Sequence, residues 1–249
     1  MVPMNPARRL TDEQLECSAV VANCRMNRER GLLGSNGYDT ELGFNPLDFL
    51  ETQIRKGDTV GWLDLCCGSG KALIEASRWI QDRGWENEIE LVGVDLVGMF
   101  ALTPSGQTRP RLLEASWRTW RPDRAFNLIT CVHGLHYVGD KLGLMARAVS
   151  WLTANGEFVA SLDLANLRLA DGRPAGRRVA AALRQAGLSY DRRRRLVRCR
   201  GKTSLELPLR YLGADDQAGP NSTGQPAVNS FYSGGIGESR GLWLAEDQA

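Results

Sequence analysis

Histidine is nearly absent from this chain. Only His133 and His136 occur in 249 residues, so the side chains that ordinarily titrate near neutrality are confined to one short segment. Long apolar runs are missing too. The sequence is 43% hydrophobic, yet no stretch approaches the roughly 20 apolar residues that cross a bilayer, and no membrane partner is expected. The start, Met1-Val2-Pro3-Met4-Asn5-Pro6, lacks the basic-then-apolar layout of an export signal, which points to the cytoplasm. The six cysteines, at 17, 24, 66, 67, 131 and 199, have no ladder spacing, so reduced thiols are expected. No carboxylate or cysteine cluster with ligand spacing accompanies the histidines, and no metal is expected. A net charge of +2 gives no general attraction to a polyanion.

What is present is a strand, a glycine turn and a helix in succession. Val60-Gly61-Trp62-Leu63-Asp64-Leu65 reads as a buried strand, Cys66-Cys67-Gly68-Ser69-Gly70-Lys71 as a tight turn, and Leu73, Ala76 and Ile80 recur at helical spacing. This is the start of a nucleotide-binding unit. A phosphate-cradling P-loop needs Gly where Leu65 stands and Ser or Thr where Ala72 stands, so that ligand is excluded. A dinucleotide turn places a third glycine inside the helix, where this chain has Leu73.

Asp64-Leu65-Cys66-Cys67-Gly68-Ser69-Gly70 resembles motif I of the class I S-adenosylmethionine-dependent methyltransferases of small-molecule type, with Cys66 in place of the family's first glycine. Gly68 and Gly70 still let backbone approach a ligand closely. A second apolar strand ends at Asp95 in Glu90-Leu91-Val92-Gly93-Val94-Asp95-Leu96. The resemblance makes Asp95 the ribose-binding acid, and the other reading is a helix N-cap ahead of Val97 and Gly98. Leu112-Leu113-Glu114-Ala115-Ser116-Trp117 resembles the third strand and adenine loop, with Ala115 where the family commonly has Asp. Ser116, Glu114 or backbone would then serve the adenine amino group, and Trp117 would cover its face or simply pack. Phe126 to Cys131 is the fourth strand. The resemblance adds Cys66, Leu96 and Cys131, at the strand ends, to the cofactor-binding set.

The segment Cys131-Val132-His133-Gly134-Leu135-His136-Tyr137 is similar to the turn where small-molecule members bring acceptor and methyl group together. His133 and His136 are candidate catalytic bases there, the other reading being hydrogen bonds inside the fold. The Asp/Asn-Pro-Pro-aromatic turn of base-amine methyltransferases is missing, which argues against a nucleic-acid partner.

The fold expected is α/β: a Rossmann-like, doubly wound, seven-stranded, mostly parallel sheet with a terminal antiparallel hairpin and an N-terminal helical lid. Asp140 caps a helix through Trp151, Glu157 to Leu162 forms the fifth strand, and Pro174 opens a helix that Gly187 ends. Arg194–Arg200 and Thr203–Leu212 are expected to form the hairpin around Gly201-Lys202, with Pro208 costing a ladder bond. The arginine run at 192–195 reads as a solvated face or as a polyanion contact. Leu10 to Arg30 can form an amphipathic helix, and Tyr38 either reaches the methionine end of the cofactor or packs as a loop tyrosine. Three regions follow: residues 1–50 as a lid, 51–212 as the core, and 213–249 as a polar tail or an arm laid across the domain.

The expected activity is transfer of a methyl group from S-adenosylmethionine to a hydroxyl, amine or carbon of a small molecule, with a homodimer left open. The alternatives are an RNA or protein methyltransferase, and a relative that binds the cofactor without methyl transfer or moves an aminopropyl group.

Overall fold

The computed structural model describes residues 9–22, 29–57, 59–221 and 223–234. The six residues of β1 (Val60–Leu65) are all buried, because β2 (Ile89–Asp95) and β4 (Phe126–Cys131) pair with it in parallel on either side and helices cover both faces. The intervening α5 (Lys71–Gln81) lays Ala72, Leu73, Ala76 and Ile80 on the sheet. Its N-cap, Gly70, has φ +72, and a Cβ there would lie 2.7 Å from Leu112 Cδ1. Glycine is required at that corner.

The main sheet has the order β3-β2-β1-β4-β5-β8-β7, with β3 at Arg111–Glu114, β5 at Leu152–Ser161, β7 at Ser189–Asp191 and β8 at Leu196–Arg200. Strands β1 to β5 are parallel, and β8 runs antiparallel to both β5 and β7. Helix α6 (Lys141–Ser150) is capped by Asp140, whose side chain accepts from Gly143 N, and α7 (Gly176–Gln185) precedes β7. The seven-stranded sheet with one reversed strand is the expected fold, but the strands of its hairpin are not those expected. Asp191 accepts hydrogen bonds from Arg193 N (2.8 Å) and Arg194 N (3.0 Å), so the arginine run forms the corner between β7 and β8. Thr203 to Pro208 pair with nothing in the sheet, and Pro208 precedes β9 (Leu209–Asp215) instead of interrupting it.

A second sheet, ordered β6-β10-β9, contains β6 (Leu167–Leu169) and β10 (Asn229–Gly234). As far as Gly234 the described chain beyond residue 212 is an arm that pairs in this second sheet, and β9 runs through the boundary expected at 212. Among the described residues four short α-helices precede β1: α1 (Asp12–Glu16), α2 (Ala19–Ala22), α3 (Tyr38–Leu42) and α4 (Pro46–Ile54). The single helix expected over 10–30 is broken at Cys17-Ser18, where Ser18 N bonds Leu15 O instead of continuing the helical ladder. Residues 23–28 of that expectation, and Cys24 with them, lie outside the described residues.

One buried cation ties the arm to the loop after β4. Lys141 Nζ donates to Val138 O (2.8 Å), Val228 O (2.9 Å) and Ser230 Oγ (2.8 Å), and burial pushes its pKa down to about 7. Beside it, Val228 N donates to His136 O at 2.9 Å. Lys141→Met would leave two buried carbonyls without a donor. It is expected to lower the unfolding free energy by about 2 kcal/mol, measured in urea, and to speed hydrogen exchange at the Val228 amide.

Candidate functional site

The strand order reverses between β1 and β4, so the loops at their carboxyl ends part and leave a crevice. Seven residues singled out from the sequence line one pocket there: Cys66 and Gly68 after β1, Asp95 and Leu96 after β2, Ala115 and Trp117 after β3, and His133 after β4. Cys66 has φ +57, the left-handed conformation that a glycine would adopt freely. Its side chain fits because Gly134 faces it: a Cβ on Gly134 would lie 2.4 Å from Cys66 Cβ and 2.8 Å from Cys131 Sγ. The hydrogen bond with Cys131, together with burial, holds the Cys66 thiol well above its ordinary pKa.

Asp95 does not cap a helix. Its Oδ2 accepts from Gly68 N (2.9 Å) and its Oδ1 from Val97 N (3.0 Å), joining the first two loops. Arg147 lies 5.4 Å from the centre of the Trp117 ring and donates to Trp117 O at 2.9 Å, fixing the ring at the pocket edge.

The other expected residues stand behind or beside this pocket. Tyr38 is buried at the start of α3 and donates from its hydroxyl to Asp64 Oδ2 at 2.7 Å. Thr130 donates to Asp64 Oδ1 at 2.6 Å and receives Trp62 Nε1 at 2.9 Å. Burial pushes the Asp64 pKa up to about 7, against the lowering effect of those two hydroxyls. Gly70 shapes the turn into α5, Cys131 is wholly buried, and Ser116 donates to Glu16 Oε1 at 2.7 Å.

His133 lies 3.0 Å through Nε2 from Glu41 Oε1 and 3.5 Å through Nδ1 from His136 Nε2, the two rings being stacked. The His133 hydrogen bond holds the Glu41 carboxyl below its usual range, and Arg30 Nη1 reaches the same oxygen at 2.6 Å. His136 is 2% exposed. Burial pushes its pKa down to about 3, so it is neutral at physiological pH. Among the described residues no group of three or more His, Cys, Asp or Glu could hold a metal ion.

Sequence reasoning did not single out Thr130, Glu41 or the pocket-lining part of α1. A polar β-branched residue inside an apolar strand was the signal for Thr130. Glu41 lies three residues beyond Tyr38, on the same helix face. From the lid, Leu15, Glu16 and Val21 line the pocket, and Arg118 holds α1 through Asp12 (3.1 Å) and Glu13 (2.6 Å). The space left is about 80 Å³, below the roughly 300–1,000 Å³ of ordinary ligand sites.

The raised Asp64 pKa gives a signed prediction. From about pH 4, where the unfolded carboxyl ionises, to pH 7 the folded chain keeps a proton that the unfolded chain has lost. Asp64 therefore subtracts from stability as pH rises through that window. Asp64→Asn removes the titration. Its unfolding free energy relative to the parent is expected to grow by roughly 4 kcal/mol between pH 4 and pH 7, as measured by urea unfolding at each pH.

The profile of a family described as "Methyltransferase domain" matches residues 40–207, more than half of the chain. No curated protein sequence matches. Among solved structures, the plantazolicin methyltransferase BpumL in complex with SAH is similar at 14% identity and a TM-score of 0.36, over 46% of this chain and 43% of that one. CalS10, an amino pentose methyltransferase from Micromonospora echinaspora, has 19% identity and a TM-score of 0.34 over 47% and 49%. The sugar N-methyltransferase KedS8 from Streptoalloteichus sp ATCC 53650 has 20% identity and a TM-score of 0.33 over 46% of each. The chain spans a little under half the length of these structures. The chain belongs to the methyltransferase-domain family.

Proposed function

We propose that this protein transfers the methyl group of S-adenosylmethionine to a hydroxyl, amine or carbon of a small organic molecule in the cytoplasm. The observation that carries this reading is the enclosure of the pocket. Strand-end loops line one side, while α1 and the segment at Tyr137 to Gly139 line the other, and among the described residues the space between them, about 80 Å³, is too small for a macromolecular chain. Among the described residues no helix is long and apolar enough to cross a membrane.

The residues present fit the cofactor. Bare backbone at Gly68 and Gly134 permits close approach, the Asp95 carboxylate suits a sugar diol, and the Trp117 ring stands at the pocket edge for a flat base. Cys66, Leu96 and Ala115 complete the set that would hold it, and the Tyr38-Asp64 pair and Ser116 stand next to it. When bound, S-adenosylmethionine supplies a methyl group already activated on a sulfonium, so the protein has to orient the acceptor and take its proton.

His133 is the residue we assign to that proton. Glu41 Oε1 stands 3.0 Å from Nε2, and a carboxylate there favours the tautomer with the proton on Nε2 and the lone pair on Nδ1. Nδ1 has only the 3.5 Å contact to His136, at the outer limit of a hydrogen bond, and an acceptor hydroxyl or amine replaces that contact. His136, kept neutral by burial, does not compete for the proton. The lid then excludes water, and its α1 has to withdraw from the pocket for the cofactor to enter.

A labelled-methyl screen against small hydroxyl, amine and carbon acceptors, with product identification, tests the activity. S-adenosylhomocysteine is the expected product, and methylthioadenosine would mean aminopropyl transfer instead. Asp95→Ala is expected to weaken cofactor binding by at least about tenfold in calorimetry, the loss of one charged hydrogen bond. His133→Ala is expected to lower kcat by roughly 100-fold or more with cofactor affinity unchanged, and full turnover in that variant removes His133 from the chemistry.

A further inference from the structure

The positive charge of this chain is gathered in one stretch. Residues 168–202 hold twelve of the 31 Lys and Arg but two of the 29 Asp and Glu, a net +10 in a chain of net +2, so the remainder carries −8. Both acids of that stretch are already engaged. Asp171 lies 2.6 Å from Arg173, and Asp191 accepts the amides of Arg193 and Arg194. Arg177 and Arg184 on α7 and Arg192 after β7 are exposed, and they have no ion pair among the described residues.

These three arginines rim a groove of about 1120 Å³ between α7, β6 and β7. Between them its lining is apolar, with Leu164, Leu169, Ala181, Leu188 and Tyr190, and the Tyr190 hydroxyl donates to Leu162 O at 2.9 Å. Arg177 and Arg184 stand about 10 Å apart along α7, which is two turns of a facing helix. An aliphatic recess gives nucleobases a single ring to stack on, and a flat bilayer does not reach its floor. An amphipathic helix meets both parts at once: its apolar face fills the recess while carboxylates on its flanks face the arginines.

The groove also lies on the functional edge of the sheet. Strand β8 is antiparallel to both β5 and β7, so β5 and β7 point the same way. Leu164 beyond β5 and Arg192 beyond β7 are therefore at the carboxyl edge, which carries the cofactor crevice. Strand β7 is the third from β4, roughly 14 Å away.

We propose that the groove between α7 and β7 is a docking site for an acidic amphipathic helix of a second protein, with Arg177, Arg184 and Arg192 facing its carboxylates and Leu169, Leu188 and Tyr190 its apolar side. The docked partner stands at the same edge of the sheet as His133. Docking does not depend on methyl transfer, and its test reads binding alone.

A fluorescein-labelled helical peptide with Leu along one face and Glu on its flanks is titrated with the full-length protein and followed by anisotropy. Saturable binding is expected, weaker by at least about tenfold for a scrambled peptide of the same composition. The same loss is expected for Arg177→Glu/Arg184→Glu and for Ala181→Glu, which fills the recess from an exposed position. A peptide with Lys in place of Glu should bind the double variant and not the parent, a gain that a misfolded variant would not show. No saturation by about 1 mM, equal affinity for the scrambled peptide, or tighter binding of single-stranded RNA or of phosphatidylserine vesicles would each overturn the proposal.

Discussion

The reversal of strand order between β1 and β4 is the constraint on which the rest depends. Neighbouring parallel strands whose connections leave toward opposite faces cannot close their loops over one another, so the sheet keeps an opening at that edge. The opening is polar only where function needs it. Asp95 joins the first loop to the second through Gly68 N, and Asp64 is clasped by Tyr38 and Thr130 behind it. Around these carboxylates the strands are filled with Val, Leu, Ile and Phe, a setting in which a charge is costly. That cost is why Asp64 titrates so far from its ordinary range.

The lid and the arm are better understood as one structure than as two appendages. Leu10 bridges to Ala214 of β9, and Tyr211 on the same strand donates to Asp12 of α1 at 2.7 Å. The arm in turn reaches the histidine loop through Val228 and Lys141. Movement of α1 is thus coupled mechanically to the strand that supports the proposed base. An enzyme built this way can join cofactor entry to the setting of its acceptor side, as gating loops do elsewhere.

Much of the core was legible in the sequence because its signals are local. A run buried on both faces, a glycine in the left-handed region and a helical apolar repeat each occupy a few consecutive residues, and β1, α5, β2 and β4 fell close to where those signals placed them. The hairpin was misread because Leu196 to Arg200 could pair on either side. Asp191, by accepting two amides of the arginine run, puts the turn before that strand instead of after it. The second sheet left no periodic signal, since β6 has three residues and its partner β10 lies far away in the chain. For the same reason the pocket-lining residues after the strands could be named, whereas Glu41 could not. Its contact with His133 exists only once α3 packs across the sheet.

The pairing of Cys66 with Gly134 carries a consequence for how this cleft can vary. The two positions lie on different loops but share a single volume, so Gly134 leaves open on one wall the room that the Cys66 side chain fills from the other. Enlarging residue 134 is tolerable only if residue 66 shrinks in the same lineage. These two sites should therefore drift in tandem, and neither can be read as a preference of its own loop.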